Sequence, residues 1–446
     1  MRVPLLVQAV IFALMVFGNG AEAGAFNAGV GRADIQIPAD LYPIDGFVGQ
    51  HDPLAVRVLL MEDGSERIGI VVMDLTSISD EVIANAKAIL NKAAGVSSDN
   101  IIVCASHTFS APHVLPLDHS AANLKEKDAA LGLAIGAAVQ AATTQATSTL
   151  QPARLGFGLG NSRVNVNRDV PTARGWWFGA NETGYADSSL AVLRLNTLDG
   201  KPLAVLMNHA VQSSIMSDSE SEKGGKLVSA DLAGAATRYL ETHYGSGMVA
   251  MFLVGAAGDQ APYLMADRYV ANKDGSVSRN DIHDAGFTLV DLLGERLGGD
   301  VLRVSEEISS TNTPKLRILR SSVEVISQAA SPESASSGPV TSYTYQPGAK
   351  VGVPVVLIQI GDIVLVGFQA ELAASVGTQI KIGSPFAHTI VLTMVDGIAK
   401  YMPDAASYGR FTYEARNSRY ARGSGEAAAS AVVSLLKQMH DTPARP

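Results

Sequence analysis

Ile101-Ile102-Val103-Cys104-Ala105-Ser106-His107-Thr108-Phe109-Ser110-Ala111-Pro112-His113 is the stretch on which the reading of this chain turns. Its apolar start reads as a buried strand, and the residues that follow carry histidines and hydroxyls into the turn at the strand's end. In α/β sheets the chemistry gathers outside the carboxyl ends of strands. A histidine placed there serves as a ligand, as a base, or as a hydrogen-bonded turn residue.

Working outward, Leu54–Met61 alternates as a strand, Asp63-Gly64 reads as a hairpin turn, and Ile68–Met73 is the return strand, ending at Asp74. After Ser79, apolar residues at Val82, Ala86, Ile89 and Leu90 keep helical spacing and lead across to Ile101, which makes a βαβ unit. Four later apolar runs also open into polar clusters. Leu203–Met207 leads to Asn208–Ser214, Val249–Val254 to Gly255–Pro262, Val355–Val366 to Phe368–Glu371, and Thr389–Met394 to Asp396–Pro403. Helical patterns cover Asp128–Gln145, Asp231–Thr242, Ile282–Leu297 and Ala427–Met439. Residues 25–45 read as short extended pieces between turns, while Asn165–Asp169 and Arg174–Gly179 read as polar, Gly-rich loops. Ala329–Thr341 reads as an exposed excursion. The expected fold is α/β, with mixed β-sheets flanked by helices and the site at the strand ends.

Composition narrows the function. Of 446 residues, 47% are hydrophobic and 17% charged, so the bulk of the chain folds around a core. With 43 acidic against 34 basic residues and no basic patch, a nucleic-acid partner is not expected. Arg2, the apolar run from Val3 to Phe17 and Ala21-Glu22-Ala23 have the form of a cleavable export signal. That run is shorter than a membrane span needs. The mature chain is therefore expected from Gly24, secreted or periplasmic, with no transmembrane segment. Cys104 is the only cysteine, so no internal disulfide is available.

A nucleophile elbow, a phosphate-binding loop and an H-E-x-x-H zinc helix are all missing from the sequence. What remains is a dispersed set of His, Gln, Asp, Glu and Tyr at strand ends, the way a catalytic metal is often held. Asp231 and Asp259 follow small residues in turn-like contexts, where capping or bonding of loop amides competes with catalysis. Arg168 suits a substrate carboxylate or sulfate, or an ion pair with Asp169 or Asp187. Trp176 and Trp177, the only tryptophans, stand together and line a binding surface or pack a loop. His51 reads as structural, and His113 and His119 as solvent-facing.

Gly29-Val30-Gly31-Arg32-Ala33-Asp34-Ile35, His51-Asp52-Pro53-Leu54, Ser106-His107-Thr108, Asn167-Arg168, Ser229-Ala230-Asp231, Gly258-Asp259-x-x-Pro262, Ala370-Glu371 and Tyr401-Met402-Pro403 occur in an order that resembles the catalytic domain of the neutral/alkaline ceramidases. The likeness runs across roughly the whole mature chain. It implies one ceramidase-like catalytic domain over residues 24–446, after a signal peptide at 1–23 and without the C-terminal immunoglobulin-like domain of that family. It also implies a zinc-dependent amidase acting on an N-acyl sphingoid base, with zinc held by two histidines, a glutamate and a tyrosine.

Carried over by position, those metal ligands are His107, Glu371 and Tyr401, with Gln212 where the second histidine falls. The family's Ser-His-Thr-His-Ser-Gly-Pro is here Ser106-His107-Thr108-Phe109-Ser110-Ala111-Pro112, and a serine near the reacting carbonyl is here Ala261. The expected catalytic residues are His107, His209, Asp259 and Tyr401, and the expected substrate contacts are Arg168, Trp176, Trp177 and Gln212. The leading expectation is an exported hydrolase that cleaves an amide bond of a small, lipid-like or glycan substrate with metal assistance. Two alternatives stand beside it: a metal-independent lyase using His or Tyr, and a non-catalytic binding protein on the same scaffold.

Overall fold

The computed structural model describes residues 26–442, apart from 115–124, 246, 273, 275, 311–312 and 330–337. The export signal, His119 and part of the expected excursion lie outside the described residues.

An eight-stranded sheet carries the first half of the chain. Its order in space is Val249–Val254, Pro202–His209, Ser189–Thr197, Gln151–Asn161, Asn27–Asp34, Ala55–Glu62, Arg67–Met73 and Ile101–Ala105. The middle pairs are antiparallel, and the two outermost pairs are parallel. Each parallel pair needs a crossover, supplied by helix Asp80–Ala94 at one edge and Asp231–Tyr244 at the other. Helices Asp80–Ala94 and Lys125–Ser148 bury an apolar face against one half of the sheet, and Asp231–Tyr244 with Gly286–Glu307 cover the other half.

A second, four-stranded sheet runs in the order Leu316–Gln328, Pro347–Ile360, Ile363–Phe368 and His388–Leu392. Its last two strands are again parallel, joined through helix Ala374–Gly383. Leu59, Ile70, Leu206 and Met251 of the first sheet share one core with Ile358, Leu365 and Ile390 of the second. Helices Ala374–Gly383 and Ser424–Asp441 close the far side. The layers are thus helix, sheet, sheet, helix, with three parallel pairs whose carboxyl ends are free to hold loops.

Three local readings change. Residues 27–34, expected as turn-rich, form a central strand, because the helix Lys125–Ser148 lies directly on it. A Cβ at Gly31 would sit 2.0 Å from the Ala142 carbonyl oxygen, so only glycine permits that approach. The run Val355–Val366 is two strands, turned at Gly361 in the left-handed region (φ +64°). Asn165–Thr172 and Gly175–Asn181, expected as loops, form a hairpin in which Pro171 faces Trp176. Its first strand also pairs with Gln260–Pro262. Pro and Gly hide the period-two signal there, and aromatic packing across the hairpin replaces it.

Candidate active site

Loops from the three parallel pairs converge. His107 follows the strand Ile101–Ala105, Gln212 follows Pro202–His209, and Glu371 follows Ile363–Phe368. Thr108 and Ser213 form an isolated parallel bridge, and the Phe109 amide donates to the Ser213 carbonyl at 3.0 Å, which ties the first two loops together. Glu371 pairs in register with Tyr401 across a short parallel ladder. His107 itself is held at φ +60°, an uncommon conformation for a non-glycine residue and one that a surrounding scaffold must enforce.

The side chains form one buried network. His107 Nδ1 lies 2.6 Å from the Thr76 carbonyl, which only accepts, so Nδ1 carries a proton. His107 Nε2 lies 3.3 Å from Glu371 Oε2, so a proton taken up on that nitrogen would be shared with the carboxylate. Gln212 Nε2 donates to the same Glu371 oxygen at 3.1 Å, while its Oε1 accepts from Arg168 Nη1 at 2.8 Å. Only this orientation of the amide suits both neighbours. Arg168 Nε donates to Glu414 Oε1 at 2.6 Å, and its guanidinium covers the rings of Tyr401 (5.1 Å) and Phe178 (5.0 Å).

Charge follows contact. Burial works against the Glu371 carboxylate, but His107, then Arg168 and Lys400, outweigh it and hold the group below its ordinary range. Burial likewise opposes the Arg168 cation, and Glu414 outweighs it, so the guanidinium stays charged. Burial first, and the neighbouring Glu414 second, push the Asp169 carboxyl well up. Burial also pushes Tyr401 up, helped by Glu371, so it is a neutral phenol.

The network meets solvent at a cleft of about 330 Å³, where Arg168, Gln212, Tyr401, Tyr413, Phe178 and Phe109 all reach the surface of the cavity. His107 and Glu371 lie behind this wall, with the Phe109 ring packed edge-on against the imidazole at 4.7 Å. Ala261 also lines the cleft.

Other expected residues are placed differently. His209 is fully buried, bonded through Nδ1 to the Ser189 carbonyl at 3.0 Å, and is not brought to the network. Asp259 accepts from the Ala374 amide at 2.8 Å and from Asn167 Nδ2 at 3.3 Å, and its carbonyl accepts from the Arg168 amide at 3.0 Å. It therefore clamps the Arg168 strand to the start of the helix Ala374–Gly383, and burial pushes its carboxyl up to about 6. Trp176 and Trp177 lie outside the cleft lining, each under a guanidinium, from Arg410 and Arg416 respectively. Asp231 bonds the amides of Ile215, Met216 and Leu232, as a turn-bonding carboxylate would. His51 stacks on Phe287 at 3.6 Å.

Glu414 is the residue sequence reasoning missed. It sits on the four-residue helix Tyr413–Arg416, 246 positions from Arg168, and no local pattern connects the two. Phe178, of the aromatic loop Trp176-Trp177-Phe178 that suits a lipid chain or a sugar face, does line the cleft, while Tyr269 and Tyr413, whose rings pack on Phe178 there, carry no local signal in the sequence.

These side chains do not fit a four-ligand zinc site. His107 Nε2 and the Glu371 carboxylate are ordinary zinc donors, and the 2.6 Å Nδ1 contact is the kind that orients a metal-bound histidine. The third position fails: Gln212 directs its amide protons at Glu371 and commits its oxygen to Arg168. A neutral amide oxygen is also a poorer zinc donor than imidazole. A buried guanidinium already supplies positive charge beside Gln212 and Tyr401. Among the described residues no group of three His, Cys, Asp or Glu could hold a metal ion.

The architecture is that of the neutral ceramidases. Among solved structures, the chain is similar to the neutral ceramidase from Pseudomonas aeruginosa, with 20% identity over 94% of this chain and 75% of that one and a TM-score of 0.72. It is similar to the same degree to a ceramidase complexed with C2, with 19% identity, 95% and 76% coverage and a TM-score of 0.72. The sequence matches no family model and no curated protein. The fold expected from the ordered motifs is thus borne out.

Proposed function

We propose that this protein is a hydrolase that cleaves an amide bond of an N-acyl substrate in the cleft above Gln212, Arg168 and Tyr401. The observation that carries the reading is the buried network running from His107 to Glu414, of which Arg168, Gln212 and Tyr401 line the cleft together with Phe109, Phe178 and Tyr413. The substrate's acyl carbonyl lies by the Tyr401 hydroxyl, a neutral phenol whose proton opposes the charge that grows on the carbonyl oxygen. His107, held through Nδ1 on the Thr76 carbonyl, takes the proton of the attacking water on Nε2 and returns it to the amine nitrogen as the C–N bond breaks, with Glu371 opposite Nε2 steadying the imidazolium formed between the two transfers. The reading includes export, which rests on residues 2–23, and a small lipid-like substrate, which rests on the likeness in fold. Among the described residues no helix is long and apolar enough to cross a membrane. The zinc chemistry implied by the resemblance is given no step, since the side chains do not fit it.

The test is release of free fatty acid, followed by mass spectrometry, from a ceramide and from shorter N-acyl amines. Wild type is expected to turn over at least one of them. Tyr401→Phe and His107→Ala should each lower kcat by about a hundredfold or more, the scale of lost acid–base and oxyanion groups. Turnover equal to wild type in both variants, or no release from any N-acyl substrate, contradicts the reading.

A further inference from the structure

The cations of the cleft outnumber what the hydrolase reading needs. Arg168, Lys226, Arg268 and Arg279 line it, against the carboxylates of Asp218 and Asp267. Arg279 is spoken for by Asp267, with Nε to Oδ1 at 3.1 Å, and Lys226 rests over the Phe47 ring at 4.7 Å. Arg268 donates to the Tyr263 carbonyl. Arg168 differs from the other three. It is buried, Nε and Nη1 are bonded to Glu414 and Gln212, the Tyr401 hydroxyl stands beside the guanidinium, and the third nitrogen, Nη2, is buried and makes no hydrogen bond of good geometry. An unpartnered guanidinium nitrogen costs stability unless a ligand completes it. The Phe178 and Tyr401 rings on which the guanidinium lies hold its plane fixed.

We propose that the substrate of this site is an organic anion whose carboxylate or other oxyanion group is received by Arg168 Nη2, with its apolar part against Phe178, Tyr401 and Tyr413. The oxyanion supplies the acceptor that Nη2 lacks, and the charge-assisted bond forms away from bulk water, where it is stronger than at a surface. Arg268, which lines the same cleft, attracts the anion as it enters. This assignment rests on the reading above for the cleft being the substrate site, and it selects acidic N-acyl compounds over neutral ones.

Isothermal titration of the purified protein with N-octanoylglycine and with its uncharged analogue N-octanoylglycinamide separates the two. The acid is expected to bind about tenfold or more tightly than the amide, as one charge-assisted pair supplies. That preference should vanish in Arg168→Met and persist in Arg303→Gln, which changes an exposed cation elsewhere. Since Arg168→Met leaves Glu414 buried without its partner, the double variant Arg168→Gln/Glu414→Gln, with its fold checked by circular dichroism, removes both charges and must lose the preference too. Equal binding of acid and amide by wild type, binding of neither, or a preference that survives in the double variant overturns the assignment. An acid that binds through Arg168 without being cleaved keeps it while contradicting the hydrolase; cleavage of neutral amides without charge preference does the reverse.

Discussion

Gln212 turns what would be a ligand position into a bridge. Its amide donates a hydrogen bond to Glu371 and accepts one from Arg168, so carboxylate and guanidinium stabilise each other across a neutral group. Arg168→Met therefore strands Glu414, and such an unpaired buried charge costs on the order of 3–5 kcal/mol. Chemical denaturation should show that loss, and the Arg168→Gln/Glu414→Gln pair should recover much of it. Asp259 gives a pH signature of its own. Its carboxyl is raised to about 6, so the folded chain keeps a proton there over a range in which the unfolded chain, with an ordinary value of about 4, has released it. Stability from this group thus falls as pH rises from about 4 to about 6, by roughly 3 kcal/mol, and is flat above. Denaturation of Asp259→Asn across that range should lack this slope, shifted by a constant for the altered Asn167 contact; an unchanged slope would remove Asp259 as its source.

At the scale of elements, the three parallel pairs do the positioning. The βαβ unit ending at His107 was legible because a hairpin, a helical period and a second apolar run follow one another in a short stretch. The run before Gln212 was legible from its apolar content alone, and the run before Glu371 only as one apolar stretch, which Gly361 divides into two strands. The hairpin holding Arg168 was not: Pro171 and Gly175 break its alternation, and its order comes from partners distant in sequence, Gln260–Pro262 and Tyr413. Residues 27–34 failed for a related reason, since glycines read as turns when only their neighbours are known. In the structure they make room for a helix more than a hundred positions away. Gly31→Ala would drive a methyl into the Ala142 carbonyl, where backbone has no rotamer to yield, and should cost about 2 kcal/mol or more. A thermal melt that matches wild type would show that the helix gives way instead.

Over the whole molecule, ordered motifs spread across the chain pointed to the ceramidase fold: Ser106–Thr108, Gly258–Pro262 and Ala370-Glu371 follow strand ends, while Gly29–Asp34 and Asn167-Arg168 lie within strands. The chemistry was less legible. Residue identity alone marked Gln212 as a departure, but its partners became clear only once Arg168, Glu371 and Glu414, from three separate regions, were seen in one network. The central claim is that this site is organised around a buried guanidinium in place of a bound zinc ion. Elemental mass spectrometry of the purified wild type, His107→Ala and Gln212→His tests it most directly. A site of this kind gives far less than one zinc per wild-type chain, no change in His107→Ala, and a gain in Gln212→His. One zinc per wild-type chain that is lost in His107→Ala would contradict it.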